Sequence, residues 1–487
     1  MSIFRLRGGV HPKGQKHLAA ERPIRALPIP AILYVPLQQH IGAGANPVVA
    51  VGDRVRKGQL LASNQGMISA PVHAPTSGRV TAIIDHPSSH PSGLPLPTVV
   101  LEADGDDRWH DADPPADPCA LSPEEISVRV GAAGIVGLGG AVFPSAVKLN
   151  LSRRSRVRTL ILNGGECEPY LTCDDRLMRE RAAQIVTGIR LIQRATGAGR
   201  VLIGIENNKP EAIAAMRTAC AATGVEVAVV PAMYPMGSEK QLIVALTGLE
   251  VPAGGRPADI GMLVHNVGTA HAVQQAIELG RPLVSRVVTV SGGAVAAPGN
   301  VEAVIGTPVR ALFDFCGGWR TEPVRLVMGG PMMGQQLRHL DVPVIKGTSG
   351  VLALTAREIS RQTEQSCIRC SSCVRACPVG LLPLEMSSRI CAGDLNAAVG
   401  YGLKDCIGCG SCSYVCPAHI PLVQYFNYAK GELAARERTK LKQEATRKLA
   451  DERSARLERI ARERAEAAAR RKAAKQASAT PRSETAG

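Results

Sequence analysis

The chain contains Cys367-Ile-Arg-Cys370-Ser-Ser-Cys373-Val-Arg-Ala-Cys377-Pro378 and, further on, Cys406-Ile-Gly-Cys409-Gly-Ser-Cys412-Ser-Tyr-Val-Cys416-Pro417. Both stretches read CxxCxxCxxxCP. Three thiolates spaced by two residues wrap a loop around one face of an iron–sulfur cubane. The fourth, three residues on, starts a helical turn that points the other way and serves the second cluster. This assigns one [4Fe-4S] centre to Cys367, Cys370, Cys373 and Cys416, and a second to Cys406, Cys409, Cys412 and Cys377. Pro378 and Pro417, with their fixed φ, set the exit turns. Zinc ribbons use pairs of CxxC rather than two runs of four that end in Pro. A disulfide framework does not suit a chain in which no secretory signal is read.

The doubled run is that of two-cluster bacterial ferredoxins, so the expectation for this part is an electron relay. The rest of the chain must say where electrons enter and leave. At 487 residues and 45% hydrophobic content, several domains with real cores are expected. The six cysteines outside the runs, Cys119, Cys167, Cys173, Cys220, Cys316 and Cys391, share no spacing, and most read as small buried residues in a reducing compartment. No apolar h-region opens the chain and no window offers about 18 uninterrupted apolar residues, so neither a signal peptide nor a membrane span is expected. The net charge is +15, but residues 430–487 alone carry 17 Lys/Arg against 9 Asp/Glu. The excess is concentrated in one terminal segment, which argues against a nucleic-acid-binding face on the folded body.

Residues 1–102 are rich in Pro, Gly and β-branched residues with frequent turn signals. Gly52-Asp-Arg-Val-Arg-Lys-Gly-Gln-Leu-Leu61 followed by Ala74-Pro-Thr-Ser-Gly-Arg-Val80 resembles a biotinyl/lipoyl-type barrel-sandwich domain. Its hairpin, Asn64-Gln-Gly-Met-Ile-Ser69, lacks the attachment lysine, so a structural or docking role is expected. Asp104–Pro118 reads as an acidic, Pro-rich linker. Residues 119–280 alternate apolar runs (Thr159–Leu162, Val201–Ile205) with helical patterns (Arg179–Thr196, Pro210–Thr223), which predicts an α/β layer with buried parallel strands. Ahead of the first strand lies Gly131-Ala-Ala-Gly-Ile-Val-Gly-Leu-Gly139-Gly140-Ala-Val142-Phe-Pro-Ser145-Ala-Val-Lys148. Its spacing is not that of a GxGxxG fingerprint, yet glycines that expose backbone N–H groups beside a lysine suit a phosphate as well as they suit tight packing. After the strand comes Asn163-Gly-Gly-Glu166-Cys-Glu168-Pro-Tyr-Leu-Thr-Cys-Asp174-Asp175-Arg176, an acidic loop where α/β proteins place ligands.

These two segments, then Tyr234-Pro-Met-Gly237-Ser238-Glu239 and His265-Asn266-Val-Gly-Thr269, stand in the order seen in the flavin subunit of respiratory complex I. With the ferredoxin pair behind them, residues 1–430 closely resemble the RnfC family, a component of the Rnf (Rsx) ion-translocating electron-transport complexes. The resemblance implies non-covalent FMN and NAD(H) as substrate. Gly139, Gly140 and Lys148 would face the FMN phosphate and ribityl chain, Asn163 and Glu166 the flavin, and Glu168 the nicotinamide side. Gly237 and Glu239 would close the pocket and Asn266 would contact the cofactor. The chain departs from the complex I pattern at Gly165 (usually Asp), Val142 (Gly), Ser145 (Thr) and Ser238 (the first of two glutamates).

Residues 281–345 read as short strands and resemble the soluble-ligand-binding β-grasp module, with Met328–Gly334 as a tight loop. Residues 346–430 hold the clusters. Residues 431–487 read as a basic, solvated helix, disordered over 477–487, with leucines every eight residues that drift around its surface. The expectation is thus a multidomain α/β chain made of barrel-sandwich, FMN/NADH-binding domain, β-grasp module, two-cluster ferredoxin-like domain and charged helical tail. Its function would be that of a peripheral subunit on the cytoplasmic face of the bacterial inner membrane. It would exchange electrons between NAD(H), FMN, two clusters and ferredoxin-type partners in an ion-translocating complex, with the tail meeting membrane surface or partner. The rival readings are a soluble, cobalamin-reductase-like flavin/iron–sulfur enzyme, a flavin-less relay adaptor and a nucleic-acid-binding iron–sulfur protein.

Overall fold

The computed structural model describes residues 3–479, apart from 90, 91, 112, 113 and 361. The barrel-sandwich strands form a four-stranded sheet (Ile32–Pro36, Leu96–Ala103, Gly78–His86, Arg54–Val55) facing a three-stranded one (Asn46–Pro47, Leu60–Ser63, Val72–His73). They start at Ile32. The residues before them form an extended strap along other parts of the molecule: Phe4 N–H donates to Ala245 O, Val10 exchanges two backbone bonds with Tyr234, and Arg25–Ala26 adds an edge strand to the third sheet. The first half of the expected linker is pinned rather than free. Asp104 accepts from Ser77 Oγ, Asp107 pairs with Lys57, and Trp109 lies against Lys57 and Arg281.

The second layer is a four-stranded parallel sheet in the order Val225–Val230, Arg200–Glu206, Thr159–Gly164, Met262–Asn266. Leu160, Ile161 and Leu162 are fully buried, as a strand covered by helices on both faces requires. The expected helix from Arg179 is in fact two, Cys173–Glu180 and Ala182–Thr196. Arg181, between them, lies outside helical dihedrals, and its side chain pairs with Glu302 of the next module. Gly197, at φ 70, ends the second helix in the left-handed conformation that glycine tolerates. Because Thr159–Gly164 has its successors on one side and Met262–Asn266 on the other, the chain reverses direction of travel between these two strands. Asn163 and Asn266 are register partners at their carboxyl ends, and a crevice opens at such a switch point.

The third sheet joins Gly299–Val304, Ser285–Ser291, Gly350–Leu354 and Arg325–Met328. Gly350–Leu354 is fully buried and sits centrally, so the module's sheet runs past residue 345. Sandwich and α/β layer share one continuous apolar core, running from Leu33 and Leu101 to Leu160 and Ile277. The cysteine-rich part packs Met386, Ile390, Leu395 and Leu403 against Leu422, Phe426 and Ala429, the first apolar stripe of a helix that continues as Leu422–Ala479. Beyond Leu433 that helix is exposed, including Leu441, Leu449 and Leu457, and runs on for roughly 70 Å at 1.5 Å per residue. Of the stretch expected to be disordered, residues 480–487 lie outside the described residues.

Candidate functional site

An open cavity of about 550 Å³ lies at the carboxyl ends of Thr159–Gly164 and Met262–Asn266. Gly139, Gly140, Lys148, Asn163, Glu166, Glu168, Gly237, Glu239 and Asn266 all line it. The crossing of two backbones explains one departure from the complex I pattern. A Cβ on Gly237 would stand 2.2 Å from Gly165 O, and one on Gly165 would meet Gly237 Cα at 3.3 Å. Asn163 ties the two loops together, its Nδ2 donating to Gly237 O and its Oδ1 accepting from Gly165 N–H.

The glycine segment folds back on itself, with Gly137 N–H donating to Phe143 O, and delivers Ser145 to the start of the helix Ser145–Arg154. Gly140 adopts φ 105, and a Cβ there would meet no atom within 4 Å, so its backbone faces open cavity. Ser145 Oγ and His265 Nε2 are buried, line the cavity and have no partner among the described residues. Burial and nearby Lys148 push the His265 imidazole down to about 3, so it is neutral. Lys148 Nζ donates to Glu239 Oε1 (3.0 Å) and Val264 O (2.5 Å). A helix N-terminus, a lysine and two orphaned polar atoms around a glycine cradle fit the phosphate end of FMN. Val142 holds φ 47, a conformation that costs a β-branched residue on the order of 1–3 kcal/mol. Its methyl lies where a Cβ on Gly347 would be, 2.8 Å away, so the glycine missing from the loop is matched by one across the contact.

Glu166 is buried and spends its carboxylate on the N-terminus of Cys173–Glu180, accepting from Asp174 N–H (2.9 Å), Asp175 N–H (3.4 Å) and Cys173 Sγ (3.2 Å). Glu168 accepts from Met332 N–H (3.0 Å) and Met333 N–H (2.8 Å), so it holds the Met328–Gly334 loop. Burial raises its carboxyl to about 7. Sequence reading missed what lies beneath this loop. Lys16, on the N-terminal strap, donates all three of its protons to Glu166 O (2.8 Å), Glu168 O (3.0 Å) and Leu171 O (2.6 Å). Lys209 pairs with Glu206, both side chains being 1% exposed. Nothing local marks Lys16; only the tertiary path of the strap brings it here.

Cys377, Cys406, Cys409 and Cys412 line a second, much smaller cavity, together with Pro378, Leu381, Met386 and Phe426. Their thiols lie within electrostatic reach of one another. Among the described residues no group of three or more His, Cys, Asp or Glu closes around a single ion. Four thiols facing a shared void instead fit a cubane. Cys373 lies within reach of Cys416, while Cys367 and Cys370 are exposed on the loop that carries Ile368 and Arg369. Leu381 N–H donates to Cys377 Sγ and Gly408 N–H to Cys406 Sγ; Arg369 N–H does so to Cys367 Sγ. Such bonds tune cluster potential. The two cavities meet: Ile407 and Cys409 line both. Tyr234 lines the first and donates its hydroxyl to Cys409 O at 2.6 Å.

A glycine cradle beside a closed cysteine quartet defines a flavin–iron–sulfur electron-transfer protein, and the known families agree segment by segment. The profile described as the RnfC barrel sandwich hybrid domain matches residues 4–106, the Nuo51 FMN-binding domain 130–275, the SLBB domain 287–336 and the 4Fe-4S dicluster domain 366–420. The C component of the ion-translocating oxidoreductase complex of Rhodobacter capsulatus is 53% identical over 442 residues, covering 90% of this chain and 85% of that one. The C component of the proton-translocating ferredoxin:NAD(+) oxidoreductase complex of Clostridium ljungdahlii is 48% identical over 440 residues, covering 90% and 96%. The chain belongs to this RnfC family. An NAD+-reducing [NiFe]-hydrogenase chain in the H2-reduced state is a distant likeness, at 20% identity and a TM-score of 0.47 over 66% of this chain and 62% of that one.

Proposed function

We propose that this chain is the peripheral redox subunit of a membrane-bound, ion-translocating complex. It exchanges electrons between NAD(H) and FMN in the large cavity, then through the two clusters to ferredoxin-type partners. The observation that carries the reading is that Cys409 belongs to both cavities, so a flavin and a cubane held in them are neighbours without any intervening domain. Bound FMN supplies the conversion between a hydride pair and single electrons, which the clusters take one at a time.

The residues divide the labour. Gly140, Ser145, Lys148 and His265 hold the phosphate end. Asn163, Gly237 and Asn266 fix the cavity floor, while Glu166 and Glu168 act mainly by shaping the loops. The buried quartet receives electrons from the flavin side. The quartet of Cys367, Cys370, Cys373 and Cys416 is the outlet, because two of its cysteines are exposed. Ile368 is 69% exposed, and Arg369 and Arg375 flank it, a rim suited to an acidic electron carrier or partner protein. Among the described residues no helix is long and apolar enough to cross a membrane. The family's membrane association therefore requires other subunits, and the exposed basic helix offers a foot for them or for anionic lipid on the cytoplasmic face.

The test is iron, sulfide and flavin analysis of anaerobically purified protein, followed by NADH titration and paramagnetic resonance. Eight irons, one FMN and two cluster signals after reduction are expected. Bound zinc, or clusters without flavin, would overturn the reading.

A further inference from the structure

A further cavity, about 420 Å³, backs onto the flavin cavity. It is bounded by Lys57, Arg181, His271, Arg281, Arg286 and Glu302 and opens past exposed Arg281. Leu138, Cys173 and Asp174 line both cavities. Leu138 is apolar. Burial and Glu166 drive the Cys173 thiol far above its usual range, so it stays protonated. Among the described residues, Asp174 is the one carboxyl common to the two walls.

On the flavin side, Asp174 Oδ2 accepts from Asn266 Nδ2 at 2.6 Å. On the other, Asp174 and Arg286 both line the basic cavity and flank Gly268, where a Cβ would lie 3.6 Å from Asp174 Oδ1 and 3.6 Å from Arg286 Nη1, and the guanidinium acts on the carboxyl through its charge. Arg286 is buried and, among the described residues, donates two long bonds, Nε to Thr348 O (3.4 Å) and Nη2 to Leu138 O (3.3 Å). Other charges near Asp174 are Glu166 on its loop, Asp175 on its helix and Lys209 beneath; Arg181, His271 and Glu302 stand across the cavity.

We propose that Asp174 is the proton relay of this site, passing protons between the flavin cavity and the solvent-open basic cavity. The inference rests on the flavin reading above. Reduction of bound FMN by NADH takes one solvent proton in addition to the hydride. Return of the flavin to its oxidised form, as two electrons leave for the clusters, releases two protons, so one net proton accompanies each NADH oxidised. Asp174 carries these protons one at a time, handing each to water on the Arg286 side. Burial, then Glu166, lift its carboxyl to about 7, so it exchanges protons at neutral pH.

The decisive measurement is redox-induced infrared difference spectroscopy on the FMN- and cluster-loaded chain. We expect a carboxylic acid C=O band that changes with flavin reduction, shifts with carbon-13 aspartate and is missing from Asp174→Asn. In stopped-flow with a pH dye, Asp174→Asn slows proton uptake about tenfold or more behind flavin bleaching, while Asp174→Glu keeps pace. A wild-type spectrum with no such band overturns the relay, even if Asp174→Asn fails to load. So does an FMN-loaded Asp174→Asn that takes up protons at the wild-type rate. A wild-type chain that binds no FMN is a different failure, seen as absent bleaching, and removes the functional reading first.

Discussion

The two cysteine quartets share one spacing and occupy opposite environments. Cys377, Cys409 and Cys412 are 9%, 9% and 8% exposed around a small cavity against the flavin site, whereas Cys367 and Cys370 are exposed on an outer loop. The buried quartet is braced from several sides. Gly9 N–H donates to Ala376 O, and Gly8 passes so close to Cys377 O that a Cβ would lie at 2.5 Å. Tyr234 holds Cys409, and Gly410 abuts Met332 of the loop that Glu168 fixes. The same local motif thus stands in two surroundings, and under the proposed function the elements packed on it make one cluster an internal relay and the other a terminal contact.

The largest way to break that contrast is to remove one ligand from each quartet. Cys412→Ser is expected to abolish transfer from NADH to any external acceptor while the flavin still bleaches. Cys370→Ser leaves the flavin and the buried cluster reducible by NADH and loses only onward transfer. Paramagnetic resonance during NADH titration separates the two; equal behaviour would refute the inner and outer assignment. Next in size is Lys16→Met. It takes the side-chain donor from Glu168 O and Leu171 O and the shorter of two from Glu166 O, which keeps only Lys209 at 3.5 Å, at about 1–3 kcal/mol for each carbonyl left unpaired where no water replaces the lysine. We expect a loss of about 3 kcal/mol or more in denaturant unfolding, with flavin loss, and little change at the outer cluster.

A smaller effect is set by pH. The Glu168 carboxyl rises from 4.5 to about 7 in the fold. Its contribution to stability is therefore complete below about pH 4.5 and is lost as pH climbs through about 7. Glu168→Gln should flatten that part of the stability profile measured on the loaded protein, and an unchanged slope would exclude this carboxyl as its source. The smallest effect is expected at the outlet. Arg369→Glu, on an exposed loop, should shift stability by less than about 0.5 kcal/mol. It should nevertheless weaken the rate and the salt dependence of reduction of an acidic acceptor; identical salt profiles would argue against electrostatic docking there.

Much of this organisation was legible in the chain. The CxxCxxCxxxCP spacing carries its own chemistry, and period and composition reveal the parallel strands and the basic helix. The glycine and acidic segments, read through their resemblance, named nine residues that share one cavity. Less legible were residues whose role depends on where distant chain passes. The Arg179–Thr196 stretch is broken at Arg181, whose side chain pairs with Glu302, 121 residues further on. Asp104–His110, acidic and Pro-flanked, is bound to the sandwich through Ser77 and Lys57.

By itself, the sequence determined the metal chemistry, the α/β layer and the order of the domains, because thiolate spacing and apolar period act over a few residues. Only the tertiary structure decided which quartet lies against the flavin cavity, that Lys16 underpins the acidic loop, and that Asp174 stands between two chambers. Those depend on burial and on contacts between segments more than a hundred residues apart, where local pattern holds no information.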